Sequence, residues 1–204
     1  MISFYIIIAI VIIGGIILIT NLDYSILDFI QKILASPFMD KVMEFFTILG
    51  DHGMVWVIIC AILLISPKTR YISLVALVAL LFSLIFNDQI LKNIIQRDRP
   101  FVGLEDIQLL IKAPSSYSFP SGHTCSSFAA AFVFGKYFKK PYSIITYILA
   151  SLIAFSRLYL YVHFPSDVIV GCLMGFICSF LAILLFNQYK VYQERKLLKK
   201  TNNK

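Results

Sequence analysis

The sequence predicts an all-α protein: a six-transmembrane-helix bundle with short interfacial helices on the extracytoplasmic side. Three observations carry this. Of its 204 residues 59% are hydrophobic and 14% charged, with a mean hydropathy of +0.85, a balance outside the soluble class. The apolar residues fall into runs close to the ~20 that an α-helix needs to cross a bilayer. The runs are continuous Ile, Leu, Val, Ala and Phe, unlike the alternating segments of a membrane β-barrel. Short charged stretches separate the runs, so one membrane-embedded domain is expected over residues 1–190, with a basic cytoplasmic tail at 191–204. A net charge of +7 with no soluble basic domain argues against nucleic-acid binding and for a charge bias that orients the chain in the membrane. Cys60, Cys125, Cys172 and Cys178 lie in or beside apolar runs without Cys-x-x-Cys spacing, and are read as core or lipid-facing residues.

Taken in order, Ile2–Thr20 is too long for a signal-peptide core and lacks a basic leader, which favours a retained first helix. Residues 21–50 mix Leu27, Ile30, Leu34, Phe38, Val42, Phe45 and Phe46 with charged side chains, which suits interfacial helices broken near Ser36-Pro37. Asp51-His52-Gly53 is a turn, with His52 a capping or surface group more naturally than a site residue. Met54–Ser66 is a second apolar run, short for a span and expected to borrow residues before Gly53. Tyr71–Phe86 is the third, continuing as a helix to about Gln96, because the residue before Pro100 avoids the helical region. Residues 101–118 form a loop, either a lid or a passive connector. The remaining spans are Thr124–Phe138, Tyr142–Tyr161 and Pro165–Tyr189.

With the N-terminus cytoplasmic, the inner segments hold Lys68, Arg70, Lys136, Lys139, Lys140 and the basic tail, with Glu194 their only acid. This positive-inside pattern brings three stretches to the extracytoplasmic face: Lys92–Pro100, Pro120–His123 and Ser156–Asp167. Lys92 and Arg99, seven positions apart, would share a helical face and form an electropositive rim, while Arg97 better fits a headgroup contact. Pro120 suits the first turn of a helix, leaving the N–H groups of Ser121, Gly122 and His123 to face an anion. Pro165 starts another helix and puts Asp167 in its first turn, within reach of the ring of His163 four residues earlier. A hydrogen bond there would fix the tautomer and leave the other ring nitrogen free to act as a nucleophile. Arg157 would neutralise phosphate charge in the transition state.

Lysine, six residues, Arg-Pro; then Pro-Ser-Gly-His; then Ser-Arg, five residues, His, three residues, Asp: these motifs closely resemble the signature of the type 2 phosphatidic acid phosphatase superfamily. The resemblance implies that His163 forms a phosphohistidine, oriented by Asp167, and that His123 protonates the leaving oxygen and then activates water. It implies that Lys92, Arg99, Ser121, Gly122 and Arg157 bind phosphoryl oxygens. No metal or other cofactor is implied, cationic side chains supplying the charge. The expected partner is a membrane lipid substrate, a prenyl diphosphate (undecaprenyl diphosphate being the preferred example) or a glycerophospholipid phosphate. The alternatives are a phosphotransferase using the same intermediate and a non-catalytic phospholipid-binding or transport protein.

Overall fold

The computed structural model describes residues 19–104 and 108–202, and the regular structure in them is helical. All but the last two residues of the expected first span, Ile2–Thr20, lie outside the described residues. Helix α1 (19–34) stops at the expected break. There Ser36 caps α2 (Pro37–Gly50), its Oγ accepting the Met39 N–H at 3.3 Å, and Pro37 opens the helix where no amide is needed. The turn at Asp51–Gly53 leads directly into α3 (Met54–Ile65), with His52 and Gly53 at φ 50° and 67°. Residues Pro37–Ile65 thus make one apolar stretch of 29 residues, and α2, expected as an interfacial helix, supplies length that the 12 residues of α3 lack.

Helix α4 (Pro67–Phe82) widens into a π-helical stretch (Ser83–Leu91) and closes with α5 (Lys92–Ile95), ended by Gln96 in the left-handed region at φ 49°. Helices α6 (Gly122–Tyr137), α7 (Lys140–Tyr159) and α8 (Pro165–Asn202) follow, α8 running without interruption through the basic tail. Among the described residues four stretches are long and apolar enough to cross a membrane: Pro37–Ile65, Pro67–Ile95, Lys140–Tyr159 and Pro165–Lys196. Helix α6 has only 16 residues and forms the centre, with Cys125, Ala129, Ala130, Ala131, Val133 and Phe134 fully buried.

Small residues let α8 lie directly on α6. A Cβ on Gly171 would come 2.7 Å from the Ser121 carbonyl oxygen, and one on Gly175 2.7 Å from that of Cys125. Such close backbone approach is how helices gain contact where lipid is as apolar as leucine. Several polar groups between helices are paired, as in Trp56 Nε1–H to Ser127 Oγ at 2.9 Å and Ser73 Oγ–H to the Cys60 carbonyl at 2.7 Å. The outer surface carries Ile58, Ile62, Ile145, Ile148, Leu173 and Phe180, all exposed, as a lipid-facing bundle requires.

Candidate active site

The site forms where α5 ends, α6 and α8 begin, and the α2–α3 turn and the C-terminus of α7 meet them. At the end of α7 the chain reverses within a few residues. Leu160 N–H donates to the Ser156 carbonyl, Tyr161 adopts φ 58°, and the N–H groups of Val162 and His163 both donate to the Arg157 carbonyl at 3.2 and 3.3 Å. Pro165 then opens α8, and the Asp167 carboxylate reaches back to accept the Phe164 N–H at 2.9 Å, a capping-box closure. This cap fixes His163 relative to Asp167.

The surroundings of the His163 ring set its tautomer. Its Nε2 lies 3.2 Å from Arg99 Nη1, and a guanidinium can only donate, so Nε2 accepts and Nδ1 carries the proton. That is the tautomer expected from the sequence. The partner differs: Asp167 Oδ2 is 3.5 Å from Nδ1, while the Ser118 hydroxyl donates to Asp167 and lies 3.3 Å from Nδ1. A direct carboxylate–ring bond was expected, and Ser118 bridges the two instead. Burial first, then the nearby charges of Arg99, Arg157, Lys92 and His123, hold the His163 pKa well below the ordinary histidine value.

Lys92 and Arg99 do not share a helical face. Gln96 ends the helix, so Arg99 arrives on the following loop, where it donates to the carbonyls of Ser116 (2.7 Å), Val162 (2.7 Å) and Tyr117 (3.3 Å). The far end of the 101–118 loop is therefore a wall of the site. Burial pushes the Arg99 guanidinium down to about 10, opposed by Asp167, which leaves it charged at neutral pH. Lys92 pairs with Asp88 at 2.9 Å. The π-helical stretch brings Asp88 to the start of α6, where a Cβ on Gly122 would meet its Oδ1 at 2.5 Å.

At that start the proline lies outside the first turn. Ser121 is the N-cap, preceded by a cis Phe119–Pro120 bond, and the Ser121 N–H, expected to face an anion, donates to the Asp167 carbonyl at 3.1 Å. The N–H groups of Gly122 and His123 occupy the first turn. His123 Nε2 lies 3.0 Å from Asp51 Oδ1, and Gly50 makes this possible, since a Cβ there would come 2.8 Å from the imidazole. The 51–53 turn thus enters the site through Asp51, while His52 is exposed. Arg157 is 3% exposed, donates from Nη1 to Thr47 Oγ1, and has no partner for Nε. A buried charged donor without a partner suits a site that accepts an oxyanion.

Arg97 is not the headgroup contact expected. Its Nη1 donates to Asp167 Oδ1 and Ser166 Oγ, each at 2.7 Å, its Nη2 to Asp23 Oδ2 at 2.8 Å, and its guanidinium carbon lies 3.9 Å from the centre of the Phe164 ring. Snorkelling would leave a buried Asp167 oxygen without its cation, which is far more costly than bending the loop inward. Ser118, Asp51, Arg97 and Asp23 are the residues the sequence reading missed. Only the first had a signal, its place two residues before Pro120–His123.

Residues 70–190 match the model of the PAP2 superfamily. The chain is similar to the undecaprenyl-diphosphatase of Sulfolobus acidocaldarius, 31% identical over 145 residues, which are 71% of this chain and 70% of that protein. Phosphatidylglycerophosphatase B of Bacillus subtilis is 32% identical over 184 residues, 79% of this chain and 84% of that one. Among solved structures, the transmembrane PAP2-type phosphatidylglycerolphosphate phosphatase from Bacillus subtilis superposes with a TM-score of 0.70 at 28% identity, covering 89% of this chain and 94% of that one.

Proposed function

The chain belongs to the PAP2 superfamily of membrane lipid phosphatases, and from that premise we propose that it removes the terminal phosphate of a prenyl diphosphate or lipid monophosphate through a phosphohistidine. The observation that carries this reading is the placement of the His163 ring, with Nε2 3.2 Å from Arg99 Nη1 and Nδ1 beside Ser118 and Asp167. With the proton on Nδ1, the Nε2 lone pair is available to phosphorus once a phosphoryl group draws Arg99 to its own oxygens.

In the first half-reaction His163 Nε2 bonds to phosphorus and the bond from phosphorus to the lipid oxygen breaks, His123 giving that oxygen its proton. In the second, water bonds to phosphorus, His123 takes its proton, and the phosphorus–nitrogen bond breaks to release inorganic phosphate and neutral His163. Arg99, Arg157, Lys92, the Ser121 hydroxyl and the Gly122 N–H hold the phosphoryl oxygens, so the charge stabilisation a metal often supplies comes from fixed cations. Asp167 keeps the ring oriented and compensates its positive charge in the intermediate. The positive-inside pattern supports six spans, cytoplasmic termini and an extracytoplasmic site, where a lipid enters from the bilayer with its tail still in it.

The test is phosphate release in detergent, with chelator present, over prenyl diphosphates, phosphatidylglycerophosphate and phosphatidic acid. Turnover in chelator that disappears in His163→Ala is expected. A strict magnesium requirement, lipid binding without turnover, or phosphate passed only to an added acceptor would each sink the reading.

A further inference from the structure

We propose that Arg97 and Asp23 are positioning residues for the reaction, holding the Asp167 carboxylate in the orientation that serves His163. The proposal rests on the assignment of His163 as nucleophile. Its basis is the division of the two Asp167 oxygens. Oδ2 faces Ser118, the Phe164 amide and the His163 ring, whereas Oδ1 is taken by Arg97 Nη1 at 2.7 Å. One oxygen anchored by a cation leaves the carboxylate a single rotation, and that rotation points the other oxygen at the ring.

Arg97 is itself fixed from three sides. Asp23, 3% exposed on α1, accepts from Arg97 Nη2 at 2.8 Å and also from the backbone amide (2.9 Å) and hydroxyl (2.5 Å) of Ser166. It thereby caps the start of α8 from another helix, while Phe164 covers the guanidinium face and Tyr24 meets Phe164 edge-on at 5.1 Å. The order Asp23, Arg97, Asp167 alternates charge, so the arginine offsets the repulsion between two buried carboxylates. Helix α1 further grips the same loop through Asp28, which accepts the Tyr161 hydroxyl at 2.8 Å, and Gln31, which donates to the Tyr159 carbonyl. The segment before the three motifs is thus built onto the nucleophile loop.

A purely structural clamp would lower stability without separating kcat from KM, and this is what the test uses. Arg97→Met, Arg97→Lys, Asp23→Asn and the Asp23→Asn/Arg97→Met double variant are assayed with a prenyl diphosphate in detergent, thermal unfolding being recorded for each. The expected loss in Arg97→Met is about 100-fold in kcat with KM nearly unchanged, the size of a small misplacement at the reacting groups. Arg97→Lys, which keeps the charge without the fork, should recover part of it. Because Asp23 acts through Arg97, the double variant should lose no more than Arg97→Met alone. Unchanged kcat in Arg97→Met, a loss confined to KM, or a double variant with the product of the single losses would overturn the inference. If Arg97→Met does not fold, Arg97→Lys and Asp23→Asn decide it by the same kcat and KM criterion. His163→Ala is measured alongside: residual turnover there defeats the nucleophile assignment, whereas a dead His163→Ala beside an unaffected Arg97→Met defeats only the positioning role.

Discussion

His163 and His123 are handled differently by their neighbours, and the difference has measurable consequences. His163 is buried among cations, which holds it neutral below the ordinary histidine value of 6.5. As the proposed nucleophile His163 would attack as the neutral ring, so lowering its pKa preserves activity as pH falls, and the loss comes only when pH passes through the lowered value. The acid limb of kcat/KM is therefore expected well below 6.5 in a pH–rate profile, and a limb at or above it would falsify the lowered pKa of the attacking ring. His123 depends on Asp51 at 3.0 Å, but that carboxylate is 59% exposed, whereas Asp167 is fully buried. Exposure weakens an ion pair by solvent screening. Asp51→Asn should then lower kcat only about tenfold, against roughly 10³-fold or more for Asp167→Asn, by analogy with the aspartate of a serine protease triad. Steady-state kinetics on the two variants checks that order.

Between elements, α6 and α8 meet through glycine, and this contact sets the distance between the two motif-bearing helix starts. Gly175→Leu would drive a side chain into the Cys125 carbonyl and the Phe128 Cβ, 2.7 and 2.9 Å from the position of a bare Cβ. Overpacking of that kind costs ~1–3 kcal/mol. Leu173→Ala, on the exposed face of the same helix, should change stability by no more than about 0.5 kcal/mol. Thermal unfolding in detergent distinguishes them, and equal effects would mean that α8 does not approach α6 as described. The π-helical stretch has a comparable role on α4, because its wider turns set Asn87 and Asp88 against the start of α6, with Asn87 Nδ2 donating to the Pro120 carbonyl at 3.4 Å. Apolar periodicity carries no sign of such a turn, since it reports which face is buried and not how many residues close each ring.

At the scale of the whole molecule, the charge pattern and the site lie at opposite ends of the bundle. An impermeant thiol reagent on intact cells, in a Cys172→Ser background, is expected to label Val102→Cys directly and Lys139→Cys only after permeabilisation. Both positions are exposed. The reverse pattern would put the site on the cytoplasmic side. The apolar outer surface surrounds a polar end at which Asp23, Lys92, Arg97, Arg99 and Asp167 are paired or hydrogen-bonded inside protein, away from lipid.

The sequence by itself determined the membrane class, the helical character and the break at Ser36-Pro37, and it singled out Arg99 and Asp167, which the structure sets beside His163, but not Ser118 between His163 and Asp167. These are local or compositional properties, written in runs, caps and short motifs. Tertiary structure alone decided how His163 is held. Arg97 stands 74 positions from Asp23 and 69 from Ser166, and Ser118 stands 45 from His163. No periodicity or cap relates residues at such separations. The left-handed turn at Gln96 brings Arg97 inward, the reversal after α7 brings His163 back, and α1 lies against both. Burial then makes each unpaired charge too costly to leave, so the pairing of Asp23, Arg97 and Asp167 is a consequence of which helices pack together.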